Sequence, residues 1–215
     1  MRKVLRQVWA LFDGVARRPL ETYERIAVEP PVAGGLGLVG FLAVAAAAVY
    51  VAAGLAGGMG GPGPPAASRL ALALVWWTLG VFGVYLAAGT AVWLAARALG
   101  SRASWTAVLT AWAASYAPTA VWFAGLVLAH ALVRPSGLLD LGSLSPAAPL
   151  AFEAVFLAFS LAVFLWKLLC FYLTLRVVGG LDFRRIVVAA VILAPLALGY
   201  WALGASLGWF KVPLL

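Results

Sequence analysis

The segment 148–175 reads APLAFEAVFLAFSLAVFLWKLLCFYLTL, and Glu153 and Lys167 are its only charged residues. An α-helix needs about 20 mainly apolar residues to cross the hydrocarbon core of a bilayer, so this segment predicts a transmembrane helix. The whole chain of 215 residues is similar, with 65% hydrophobic and 10% charged residues and a mean hydropathy of +1.05. Because soluble domains contain about 25% charged residues, this composition predicts an integral membrane protein and argues against a water-soluble enzyme.

Five segments of this kind predict an all-α membrane bundle with five transmembrane helices within residues 32–215, preceded by a cytoplasmic N-terminal segment at 1–31. Stretches rich in Gly and Pro, such as 57–69, separate some of the segments and do not continue a helix. The predicted spans are 33–57, 70–96, 106–133, 148–175 and 186–209.

The distribution of Lys and Arg predicts the orientation of the bundle. With a cytoplasmic N-terminus, eleven of the 15 basic residues face the cytoplasm and three, Arg69, Arg134 and Lys211, face outward, which agrees with the positive-inside rule. The protein is therefore predicted to cross the cell membrane several times and to have an extracytoplasmic C-terminus. Its net charge of +8 is spread between apolar runs, which favours anionic lipid head groups over nucleic acid as a partner.

Residues 4–16 predict an amphipathic helix. Leu5, Val8 and Phe12 recur at helical spacing, and this apolar stripe either lies on the membrane surface or packs against the protein's own bundle. Basic side chains occupy the other face of the same helix. The residues predicted to anchor the protein at the surface are Arg2, Lys3, Arg6, Trp9 and Phe12, together with Arg97, Arg176, Arg184 and Arg185 at the ends of the spans.

The second and fourth spans resemble each other. A shift of 79 residues superimposes Arg97 on Arg176 and Gly100 on Gly179. An aromatic residue follows each glycine turn, and Pro118 and Pro195 lie further along the next spans. We therefore expect a parallel duplication of two-helix hairpins, related by an axis along the membrane normal.

Lys167 is the main candidate for chemistry within the membrane, because ionisable residues are rare there. It lies nine residues before Arg176, about 13 Å along the helix and hence near mid-bilayer. It either belongs to a polar intramembrane site or extends its amine towards the head groups. The residues predicted to form that site are Lys167, Tyr116, Ser115, Pro118 and Pro195.

The remaining reactive side chains predict no catalytic, cofactor or metal site. No paired carboxylates or nucleophile motif occurs, His130 has no neighbouring metal ligands, and a single cysteine, Cys170, excludes an internal disulfide. We therefore expect a protein that is not an enzyme.

The chain resembles the YIP family of Ypt/Rab-interacting membrane proteins. The resemblance rests on Arg18-Pro19-x-x-Thr22-Tyr23-x-x-Ile26, on Tyr116-Ala117-Pro118 after the Gly100 turn, and on the hairpin from Arg176 to Phe183. It implies a polytopic membrane protein that acts through partners, since eukaryotic relatives associate with Rab-type GTPases and with one another in vesicle trafficking. The absence of Asn and the high Ala, Gly and Arg content favour a prokaryotic member.

Two functions remain open from the sequence. One is a non-enzymatic scaffold or accessory subunit in membrane organisation or trafficking-like processes, which associates with other membrane proteins or with itself. The other is a small transporter or lipid-handling protein with a site between the two hairpins.

Overall fold

The computed structural model describes residues 2–56, 66–133 and 148–206, and all regular secondary structure in these ranges is helical. Several features named from the sequence lie outside the described ranges. They are most of the stretches 57–69 and 135–149, which include Asp140, and the cations Arg134 and Lys211. The elements are α1 (Arg2–Arg17), α2 (Pro19–Val28), α3 (Val32–Ala56), α4 (Ala66–Ala98), α5 (Trp105–Ala114), α6 (Tyr116–Val133), α7 (Ala148–Leu173), a π-helical turn (Thr174–Val178) and α8 (Phe183–Ser206).

Three described stretches are long and apolar enough to cross a bilayer: Thr78–Ala98, Trp105–Leu128 and Leu150–Val178. They coincide with the second, third and fourth predicted spans. A shorter apolar stretch, Val32–Ala47, lies within α3. The first and fifth predicted spans correspond in position to α3, with 25 residues, and α8, with 24 residues.

The two glycine turns end their helices in the left-handed conformation. Gly100 has φ 93° and Gly180 has φ 65°, a region that favours glycine because it has no Cβ. The following helices begin at side-chain caps: Ser104 Oγ accepts the N–H of Ala107 at 3.2 Å, and Asp182 Oδ1 accepts the N–H of Arg185 at 2.9 Å. Asp182, which follows Gly180-Leu181, is therefore the N-cap of α8.

The π turn explains a one-residue difference between the two hairpins. The N–H of Ser101 donates to the carbonyl of Ala96 at 3.0 Å, and that of Leu181 donates to Leu175 at 3.1 Å. The second ring contains one more residue, so the glycine with a positive φ is the third residue after Arg97 but the fourth after Arg176. The duplication of the two hairpins stays a prediction. A π turn takes up a single extra residue within a helix.

The N-terminal helices belong to the main core. Leu11 and Val15 of α1 and Tyr23 and Ile26 of α2 are fully buried, in one cluster with residues of α3, α4, α5, α7 and α8. Helix α1 crosses α3 closely, since a Cβ on Gly37 would lie 2.5 Å from Val8 Cγ2. Helix α2 packs against α5 and the π turn. We call the region formed by α1, α2, α5 and the π turn the packed end.

The remaining parts of α7 and α8 bury far less surface. Only 11% of the most apolar window of Leu150–Val178 is buried, compared with 44% for Trp105–Leu128. Helix α7 packs mainly on α6, whereas α8 packs mainly on α4. We call the segments 150–169 and 187–199 the exposed arms.

Candidate functional site

Lys167 and Tyr116 meet in the interior of the bundle. The Nζ atom of Lys167, on α7, lies 5.5 Å from the centroid of the Tyr116 ring, at the start of α6. This is the distance range of a cation–π interaction, which offsets part of the cost of placing an ammonium group away from water. Both side chains are partly buried. The structure therefore brings together two of the five residues predicted to form an intramembrane site.

An aromatic cluster surrounds this contact. The Tyr116 ring lies edge-on to Tyr85 of α4 at 6.2 Å and to Trp112 of α5 at 6.3 Å. Trp112 lies edge-on to Phe171 at 6.4 Å, one helical turn beyond Lys167. Such geometries are favourable because ring edges are positive and ring faces negative. Four helices thus contribute to the cluster, and the cation lies at its α7 side.

Two hydrogen-bond donors on α5 and α6 have no partner within the described part of the chain: Trp112 Nε1 and Thr119 Oγ1 are buried and unbonded. Buried polar groups are nearly always paired with protein or ordered water. Among the described residues, no carboxylate lies within 4.0 Å of Lys167. Glu153, on the same helix, is fourteen residues away, about 21 Å along the axis. Within the cluster, the indole N–H of Trp112 would therefore favour an acceptor such as water.

Ser115 and Pro118 shape the backbone beside Tyr116. Ser115 ends α5 and donates its hydroxyl to the carbonyl of Trp112 at 2.7 Å. Pro118 is fully buried and is the third residue of α6, where a backbone N–H would have no helical partner anyway. The third predicted span is therefore divided into two helices at Ser115, three residues before Pro118.

Pro195 does not join this cluster. It is exposed within α8, and α8 packs mainly on α4 rather than on α7. The sequence placed Pro195 in the site through its correspondence with Pro118. Because α8 continues through Pro195 whereas α5 and α6 are separated at Ser115, the two prolines have different surroundings.

Sequence reasoning did not assign a position to Tyr23, although it belongs to the motif that carries the family resemblance. Its hydroxyl donates to the carbonyl of Ala111 at 3.4 Å, with Cys170 and Thr174 beside it. Burial, followed by the influence of Cys170, raises the pKa of Tyr23 well above its ordinary value, so the phenol is neutral. Thr22 and Ile26 are buried on the same helix, so the motif forms the face through which α2 enters the core.

The cations predicted to anchor the spans lie at the two turns. Arg97, Arg176, Arg184 and Arg185 are all exposed. Arg176 Nη1 donates to the carbonyl of Leu181 at 2.9 Å, so it also supports its own turn. Arg185 reaches the other turn, where a Cβ on Gly100 would lie 3.2 Å from its Nη1. The two turns are therefore neighbours.

Helix α1 divides its apolar stripe between two environments. Leu11 and Val15 are buried, and Phe12 packs against the core and stacks on Trp9 with ring centroids 6.0 Å apart. Trp9 itself is 67% exposed and Leu5 is 59% exposed. On the other face, Arg2, Lys3 and Arg6 are exposed. The part of the stripe that packs on the bundle is thus distinct from the part that faces outward.

No three His, Cys, Asp or Glu side chains come together as metal ligands within the described ranges. The side chain of His130 and the whole of Asp140 lie outside those ranges.

The fold and its apolar helices define a multi-pass helical membrane protein. A comparison with protein families matches residues 14–206 to the Yip1 domain, so the chain belongs to the Yip1 domain family and the resemblance found in the sequence is confirmed. The match includes α2, with its buried Thr22 and Tyr23, and extends through α8. Searches of curated proteins and of solved structures found no match.

Proposed function

We propose that the protein is a non-enzymatic scaffold or accessory subunit in the cell membrane, which organises the membrane by associating with other membrane proteins or with a second copy. The observation that carries this proposal is the exposed face of α7. Membership of the Yip1 domain family supports a role in the membrane. In the proposed topology, five helices cross the bilayer, the N-terminus is cytoplasmic, and the exposed cations of the two turns face anionic head groups.

The face of α7 has the composition of a helix-packing surface. Its exposed apolar residues recur every three or four positions, as in the interface of a helical pair. Association between helices in a bilayer depends on such packing, because lipid supplies no hydrophobic driving force between them. The exposed apolar residues on this face include Leu150, Leu157, Leu161, Phe164, Leu165 and Leu168.

The test is co-purification from native membranes of two differently tagged copies and of any bound membrane protein. We expect a second copy or a specific partner protein to co-purify with the wild-type chain at a constant molar ratio. A double substitution on the exposed face, Leu157→Trp with Leu161→Trp, should reduce the co-purified amount about tenfold, because the larger side chains disrupt a packed contact. Leu72→Trp, on an exposed site of α4, is the matched control. Neither a partner nor self-association in the wild type would contradict the proposal.

A second candidate function is transport or lipid handling at the Lys167–Tyr116 contact. It is favoured by the buried side chains of Trp112 and Thr119, whose polar atoms have no hydrogen-bond partner among the described residues. Each can donate a hydrogen bond to an acceptor ligand. Binding or flux of an anionic solute should then fall in Lys167→Leu and persist in Lys167→Arg, which keeps the charge. Equal binding or flux in the wild type and in Lys167→Leu would exclude this function.

A further inference from the structure

A groove of about 410 Å³ lies between the corner where α1 meets α2 and the side of α7. Its walls are apolar, so it suits a hydrocarbon chain rather than a polar solute. Leu165 and Leu169 are also exposed on the surface of α7, at 56% and 43%, so the groove is continuous with the apolar face of that helix. The lining residues are Val15, Ala16, Pro19, Leu165, Trp166 and Leu169.

Two arginines belong to the α1–α2 corner that borders this groove. Arg17 and Arg18 lie in sequence directly between the lining residues Ala16 and Pro19, and their side chains are 78% and 74% exposed. Arg17 Nε contacts Asp13 Oδ1 at 2.9 Å, and Arg18 Nη1 contacts Glu21 Oε2 at 3.6 Å. Exposed pairs of this kind contribute little stability, so an anion can compete for the guanidinium groups.

The start of α2 adds to the positive potential at the same corner. Arg18 is the residue before the helix, and no side chain caps the first turn. The N-terminus of a helix carries a partial positive charge from its unpaired N–H groups. An apolar groove beside a corner that carries two exposed arginines is complementary to one class of molecule, an amphiphile with a hydrocarbon chain and an anionic head.

The level of the corner along α7 fits a lipid at the membrane boundary. Leu169 and Leu165 lie seven and eleven residues before Arg176, about 10 and 16 Å along the helix. Exposed charges are costly within hydrocarbon, so the head-group layer reaches the Arg17–Arg18 corner on this side of the molecule. From Leu169 towards the other end of the helix, the stretch 150–169 contains 20 residues. These make about 30 Å of helix, which is the thickness of a hydrocarbon core.

We infer that this groove binds an acyl chain of an anionic phospholipid, whose phosphate is held by Arg17 and Arg18. The lipid belongs to the leaflet in contact with α1 and α2, and its chain runs along Leu169 towards Leu165. Lys167 then lies near the head-group boundary of that leaflet rather than at mid-bilayer. The site does not rest on the proposed scaffold role: it shares Leu165 with the α7 face, but its other lining residues and its two arginines lie outside that face.

Native mass spectrometry of the full-length protein, released from detergent with added dioleoyl phosphatidylglycerol or dioleoyl phosphatidylcholine, tests the site. We expect the wild type to retain phosphatidylglycerol preferentially. Arg17→Gln with Arg18→Gln should reduce that retention at least about tenfold, given the strength of cation–head-group attraction. Ala16→Trp, which fills the groove, should abolish binding of both lipids at this site.

Two control variants separate the site from general charge effects. Arg25→Gln removes an exposed cation of α2 that does not line the groove and should leave retention unchanged. Asp13→Asn with Glu21→Gln removes the competing carboxylates and should increase retention of phosphatidylglycerol. Circular dichroism and size-exclusion chromatography establish that each variant is folded. Equal retention of the two lipids by the wild type, or unchanged retention by folded Ala16→Trp, would overturn the inference.

Discussion

The packed end and the exposed arms both contain many large apolar side chains, yet they bury them in opposite ways. At the packed end, side chains such as Tyr23, Leu175 and Ile26 are fully enclosed. Along the exposed arms, Leu157 is 69% exposed and Leu198 is 66% exposed. Apolar residues at the packed end therefore serve to hold the fold, whereas those on the arms are available to lipid or to another protein. The comparison predicts large effects of substitution at one end and small effects at the other.

The strongest test of this difference is truncation of Tyr23. We expect Tyr23→Ala to destabilise the protein by about 3–5 kcal/mol, because it leaves a cavity in an enclosed site. Leu161→Ala, on an arm where the side chain is 56% exposed, should cost less than about 1 kcal/mol. Reversible unfolding in mixed micelles measures both. Equal losses would mean that the packed end does not carry the stability.

The close contact between α4 and the packed-end helix α5 gives a second test, with both variants on α4. A Cβ on Gly89 would lie 2.4 Å from Leu109 Cδ2 and 3.1 Å from Trp112 Cδ1, whereas a Cβ on Gly83 would meet nothing within 4 Å. Gly89→Val should therefore cost about 1–3 kcal/mol through overpacking. The matched variant Gly83→Val should be nearly neutral in the same assay. A reversed order would show that α4 and α5 do not cross in this way.

Alkaline pH should weaken the packed end through Tyr23. Because burial raises the pKa of the folded-state phenol above the unfolded value of about 10, its contribution is fully present below pH 10. It falls by about 1.4 kcal/mol per pH unit above pH 10, until the folded pKa is reached. Tyr23→Phe cannot ionise and should lack this component. Parallel stability curves for the two proteins between pH 9 and 11 would show that the phenol is not enclosed.

The smallest expected effect concerns the turn between the two arms. Asp182→Ala removes the cap at the start of α8 and the 3.5 Å contact with Arg185 Nε, at a cost of about 1 kcal/mol. Asp182→Asn keeps an oxygen that can accept the N–H of Arg185 and should lose only a few tenths. Thermal unfolding of both variants checks this order, and an equal loss would assign the effect to the ion pair rather than to the cap.

Local features of the fold could be predicted from the sequence because their causes are local. The two glycine turns, whose left-handed residues are Gly100 and Gly180, each depend on a few neighbouring residues. The burial of Tyr23 could not be predicted, since it depends on α5 and α7, which are distant in sequence. Transmembrane helices are also apolar on all faces, so their periodicity does not show which face is enclosed.

The residues of the candidate site also divide into those that the sequence identifies and those that only the packing of helices brings in. Lys167 could be selected because a charge within an apolar helix is rare. The contribution of Trp112 and Phe171 depends on how three helices meet, although each lies four residues from a selected residue. Pro195 was selected through the repeat, and the separate packing of α8 removes it from the cluster.

A photo-crosslinking scan along α7 in native membranes tests the central claim most directly. A photoreactive residue replaces Leu157, Leu161 and Phe164 on the exposed face, or Val163, which is 8% exposed. Crosslinks from the first three positions to one partner protein or to a second copy, with Val163 crosslinking only within its own chain, are the predicted result. Crosslinks to lipid alone from all three exposed positions would contradict it.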